Sequence, residues 1–134
     1  MLDSADVIST YSRADAIYDG VLVDLNAVHG DLMKEAGIVF PAAMTATCYA
    51  QWVEPTLAEK QYGQSADGRM WDVCTMFKHA VRQQREKHTI LMVELRVQKV
   101  KKTCPQMRIA RIKTICGPGD NFEPVLTFML PEED

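Results

Sequence analysis

Leu91-Met-Val-Glu-Leu-Arg-Val-Gln98 alternates apolar and polar side chains without a break. Leu91, Val93, Leu95 and Val97 share one parity, and Met92, Glu94, Arg96 and Gln98 share the other, which is the period of a half-buried β-strand. Just upstream the period is different. Met70, Val73, Cys74, Phe77, Ala80 and Val81 recur at three- and four-residue spacing, with Asp72, Lys78, Arg82 and Arg85 between them. That spacing predicts an amphipathic helix over 70–85, its apolar side packed on the sheet that the strand begins.

Two more strands are predicted downstream. After a loop at Lys101-Lys-Thr-Cys-Pro105, Met107 and Ile109 lie on one parity but Ala110, Ile112 and Thr114 on the other. A bulge near Ala110 or Arg111 in a 107–116 strand would reconcile them. Gly117-Pro-Gly-Asp-Asn121 reads as a turn, and 125–130 as the last strand before Pro131.

Helices dominate the first half of the chain. Ser12 with Asp15 predicts a capped helix that Gly20 ends, and 21–24 stays open between an extra strand and a connector. Val28, Leu32, Met33 and Ala36 predict a helix over 26–36 stopped by Gly37, and Pro41 with Thr45 opens a third running through Val53. Residues 62–68 read as a surface loop closed by an Asp67-Gly68 turn. The order predicts an α+β fold in which N-terminal helices pack on one face of a C-terminal three-stranded antiparallel meander. The 134 residues suit one domain spanning 1–134.

Composition excludes more functions than it suggests. With 15 basic and 18 acidic residues the formal net charge is −3, so no large single-sign field steers the chain onto nucleic acid or a membrane. Basic residues gather between Lys78 and Lys113, where a solvated helix and hairpin surface explains them. The acidic start at 1–6 and the lack of any apolar run of membrane length predict a cytoplasmic protein with no membrane partner. Cys48, Cys74, Cys104 and Cys116 form no close pair, so reduced and mostly buried thiols are expected.

The searches for chemistry fail one after another. No Gly-x-Ser-x-Gly occurs, and Gly117-Pro118-Gly119 lacks the third glycine, the Lys-Ser/Thr pair and the following helix of a phosphate cradle. His29, His79 and His88 share no helical two-His spacing, and Cys74 and His79 point apart on one helix, reading as core cysteine and surface histidine. No metal and no cofactor are expected, and a non-enzymatic role is preferred. Asp15, Asp19, Asp24, Asp72, Asp120 and Glu123 all sit near turns or helix starts, where capping explains a carboxylate. Tyr11, Arg13, Arg69 and Trp71 form a polar-aromatic set suited to anchoring an interface.

Four stretches carry a resemblance. They are Tyr11-Ser-Arg-Ala-Asp-Ala-Ile17 leading into Asp19-Gly-Val-Leu-Val-Asp-Leu25, the Trp71-Asp-Val73 triplet, Gly117-Pro-Gly-Asp120, and Glu123-Pro-Val125 running into Thr127-Phe-Met-Leu-Pro-Glu-Glu133. In these the chain resembles a family of uncharacterised small bacterial proteins of plasmids and phages, known only as a domain of unknown function. The stretch 98–106 and the four cysteines are particular to this sequence. The resemblance implies a mobile-element setting and brings no reaction, cofactor or catalytic residue with it.

Three functions stand as expectations. The first is a non-enzymatic binding or interaction module against a host or self-encoded protein, with its binding surface at Tyr11, Arg13, Asp19, Asp24 and Asp120. The second is a small enzyme or ligand-binding protein whose Asp19, Asp24, Asp120 and Arg13 line one pocket. The third, less favoured, is a nucleic-acid binder through the Lys99 to Lys113 hairpin. Oligomeric state stays open, a homo-oligomer included.

Overall fold

The alternating stretch is strand β3 (Ile90–Lys101), paired antiparallel with β4 (Cys104–Pro118), which pairs antiparallel with β5 (Pro124–Met129). The structure, a computed structural model, describes residues 11–133, so the acidic start at 1–6 lies outside it. β5 does not end a meander. Its other side pairs in parallel with β2 (Ala42–Thr45), which pairs antiparallel with β1 (Leu22–Asp24). The described residues thus form a five-stranded mixed sheet in the order β1-β2-β5-β4-β3, within an α+β fold, and the expected three-stranded antiparallel meander is overturned. Strands of three and four residues are too short to display a period of two, and Ala42-Ala-Met44 has no β-branched residue. Their ladders come from neighbours distant in sequence.

The helices are α1 (Arg13–Tyr18), α2 (Leu25–Val28), α3 (Gly30–Glu35), α4 (Ala46–Cys48), α5 (Leu57–Gln61) and α6 (Ala66–Gln83). A π-helical turn, Tyr49–Val53, continues α4. Ser12 and Asp15 form a reciprocal capping box on α1, and Gly20 at φ +79° ends it. The predicted 26–36 helix breaks at His29 into α2 and α3, the third helix begins only after Thr45, and Asp67 and Gly68 lie in the first turn of α6 under a Ser65 cap.

β3 and β4 run in unbroken register from Ile90↔Ile115 to Lys101↔Cys104, so the expected bulge is absent. Met107 and Ile109 therefore lie on the face opposite the buried Ala110, Ile112 and Thr114, and both are exposed. The turn itself is two residues, Lys102 and Thr103, both at positive φ without glycine, which is why the sequence reads as a longer loop.

Helices cover both faces of the sheet, a second departure from expectation. α6 lies on one face, where Phe77 meets Phe128 edge-on at 5.5 Å between ring centroids. Thr127, the next residue along β5, points to the opposite face and takes a hydrogen bond from Arg13 of α1. Val73, Cys74 and Phe77 are buried as read, whereas Val81 is 38% exposed at the rim. Phe77→Ala should cost about 3–5 kcal/mol in denaturant unfolding, because it removes one ring of a packed pair and leaves a cavity. A loss below about 1 kcal/mol would show that the ring adds little to the core.

Candidate functional site

Three of the five residues expected to form the binding surface converge. Arg13, Asp24 and Asp120 line one cleft of about 190 Å³. Each also has a bond to keep. Arg13 Nη1 donates to Thr127 Oγ1 and Nη2 to the Leu126 carbonyl, both at 2.7 Å, and burial lowers its pKa against the opposing charges of Asp24, Asp120 and Glu123. Asp120 accepts from the Arg13 and Ala14 N–H groups at 2.8 and 3.1 Å, and Asp24 caps α2. Tyr11 donates to Asp19 at 2.8 Å outside the cleft lining, a bond that raises the pKa of its own hydroxyl. The Arg13 and Asp120 contacts tie α1 to β5 and to the turn before it.

A different feature has its polar groups free. In an antiparallel pair, alternate residues exchange hydrogen bonds and the others turn theirs away. The Cys116 N–H donates to the Thr89 carbonyl at 2.8 Å, so in this register the odd residues of β3 bond to β4. The even residues face the open side, since β3 is an edge of the sheet. At Met92, Glu94 and Arg96 the backbone N–H and C=O meet no partner among the described residues. Beside them lies a groove of about 480 Å³, walled by Asp72, Thr75 and Met76 of α6 and by Glu94, Leu95 and Arg96 of β3.

Further along, the same edge is closed by side chains. Glu59 accepts from the Val100 N–H at 3.1 Å, and Arg69 Nη2 donates to the Gln98 carbonyl at 2.5 Å. The two also bond each other at 2.9 Å and are 1% and 3% exposed. A carboxylate on an N–H and a guanidinium on a C=O reproduce what a neighbouring strand would offer. Thr56 makes this placement local, through a capping box that puts Glu59 in the first turn of α5. Burial works to raise the Glu59 pKa, but the Thr56 and Val100 N–H groups, Arg69 and Lys99 together hold it below the usual carboxylate value.

Sequence reasoning missed Glu59 and misplaced Arg69. Thr56-Leu-Ala-Glu59 is a readable capping signature, yet nothing in it announces a buried carboxylate. Arg69 was expected as an interface anchor and lies inside, while Trp71 is half-exposed. His29, read only as lacking a two-His spacing, is buried between Asp67 on Nδ1 at 2.6 Å and the Tyr49 hydroxyl on Nε2 at 2.8 Å. Both of its ring nitrogens are thereby occupied. Burial pushes Cys48 up to about 12 and Cys74 up to about 11, so neither is a reactive thiolate, and Cys104, expected among the buried thiols, is exposed. Among the described residues no helix is long and apolar enough to cross a membrane.

A model for a family of unknown function (DUF6573) matches residues 1–134. No curated protein and no solved structure matches the chain.

Arg69→Leu should cost about 3–5 kcal/mol, because it strands a buried carboxylate, and Glu59→Leu added to it should recover part of that loss, the Val100 N–H and Gln98 carbonyl still lacking their partners. Equal losses in the single and double variants would contradict the pairing. Since the Glu59 pKa is depressed, its contribution is whole above the unfolded value and is lost as pH falls through the folded one. Glu59→Gln should therefore flatten the acid limb of the stability curve.

Proposed function

The chain belongs to the family of unknown function DUF6573, and we propose that it is a non-enzymatic interaction module that takes an extended segment of a partner protein as an added strand on the open edge of β3. The observation that carries this reading is the row of unpartnered backbone groups at Met92, Glu94 and Arg96 beside the α6 groove. Main-chain pairing supplies affinity in such recognition, and pockets for alternate side chains supply selectivity. Met92 and Ile109, 47% and 55% exposed on the outer face, offer apolar contact for every second side chain of the incoming segment. The Glu59–Arg69 pair sets where that segment must stop.

The partner we favour is a host protein, with this chain acting in the cytoplasm as an accessory of a plasmid or phage. That setting rests on the likeness at 11–25, 71–73, 117–120 and 123–133. The cleft of Arg13, Asp24 and Asp120 is less suited to binding, because Arg13 and Asp120 are committed to holding α1 and Asp24 to capping α2. A second reading, nucleic-acid binding, is favoured by the β3–β4 hairpin, where Lys101, Lys102 and Arg108 are exposed. Lys99 and Arg111 are tied to the Gln51 carbonyl and to Glu94. A steep loss of affinity with salt would mark that reading.

Arg96→Pro is the test. It removes an N–H that faces the open side and spares the odd-residue bonds to β4, so the chain should stay folded at a cost of about 1–3 kcal/mol from the fixed proline φ. Extended peptides selected from a random display library on the native chain should bind this variant at least about tenfold more weakly, and Arg96→Ala nearly as well as the parent. Peptides that bind the proline variant unimpaired would refute the edge.

A further inference from the structure

Lys78, Arg82 and Lys87 read from the sequence as part of a solvated basic surface, but the fold places them, with His88, around one cavity. This cavity, of about 480 Å³, lies between the C-terminal half of α6 and the α6-covered face of β3, β4 and β5. Its floor is apolar, formed by Ile38, Phe77, Leu91 and Leu126, and no carboxylate lines it. Two polar side chains interrupt the floor, Cys116 and Thr114. Thr114 is 2% exposed, and its Oγ1 has no hydrogen-bond partner among the described residues. Buried hydroxyls are ordinarily satisfied, so this floor is not fully partnered by the described residues.

We infer that this cavity binds a small amphipathic carboxylate, its hydrocarbon body on the Phe77 and Leu126 floor and its acid group among Lys78, Arg82 and Lys87. The floor disfavours a fully hydrated anion, which would lose its water to apolar side chains. The all-basic mouth disfavours a cation, and a neutral hydrocarbon would leave the mouth charges unused. The volume is in the range that encloses a ligand of this size. The site is separate from the open edge of β3, and neither inference rests on the other.

Decanoate, held below its micellar concentration, is the probe, titrated calorimetrically into the full chain. Saturable one-to-one binding is expected, at least about tenfold tighter than decanol or decyltrimethylammonium, a difference of about 1.4 kcal/mol. Lys78→Glu with Arg82→Glu should weaken it at least about tenfold, and Val81→Trp, which fills the mouth from an exposed position, should abolish it. Neither variant touches the buried core, and amide NMR shifts at Leu91 and Thr114 in the parent chain report the site without any substitution. Arg96→Pro should bind decanoate normally, which separates failure here from failure of the edge. Absence of saturable binding, decanol binding as tightly as decanoate, or undiminished binding by the Val81→Trp chain would each overturn the assignment.

Discussion

Each even-numbered residue of β3 turns its N–H and C=O away from β4, toward a side where no described strand follows. Edges of this length invite pairing with other chains, and proteins normally blunt them. Here Glu59 and Arg69 close the Gln98 and Val100 end. The requirement reaches well beyond the edge. The Thr56 cap fixes Glu59, the Ser65 cap starts α6 so that Arg69 lies in its first turns, and α6 then crosses the sheet with Phe77 against Phe128. Displacing the pair would move the longest helix of the described chain relative to the strands it covers.

Buried ion pairs seldom add net stability, because desolvation offsets most of the attraction. Two of the three guanidinium nitrogens of Arg69, Nε and Nη1, find no partner among the described residues, which makes this pair still less of a gain. Its value is positional. It meets partly buried backbone groups that would otherwise lack partners among the described residues, and it leaves Met92, Glu94 and Arg96 as the open part of the edge. At the central strand of the sheet, Arg13 and Asp120 act in a similar way, joining α1 to β5 and to the turn before it.

What the chain discloses before folding follows from the range of its signals. The α6 and β3 patterns are long and local, so both elements could be read, as could the Ser12 cap and the helix stops at Gly20 and Gly37. β2 could not, and β1 could be read only as one of two alternatives at 21–24. Leu22 and Ala42 become strand residues only because Thr45 and Leu126 come to lie beside them. The candidate site was hidden for the same reason. Glu59, Arg69 and Val100 are far apart in the chain, and whether a strand is an edge is a property of the whole sheet. Arg13 and Asp120 stood out as polar residues near turns, and the fold shows which backbone and side-chain groups they hold.

Amide hydrogen exchange along β3 tests the edge most directly, since it reads each N–H singly. Leu91, Val93, Leu95 and Val97 should be protected through β4, and Val100 through Glu59, whereas Met92, Glu94 and Arg96 should exchange quickly in the free chain. Uniform protection from 91 to 100 would mean that the edge is already covered and that the account is wrong.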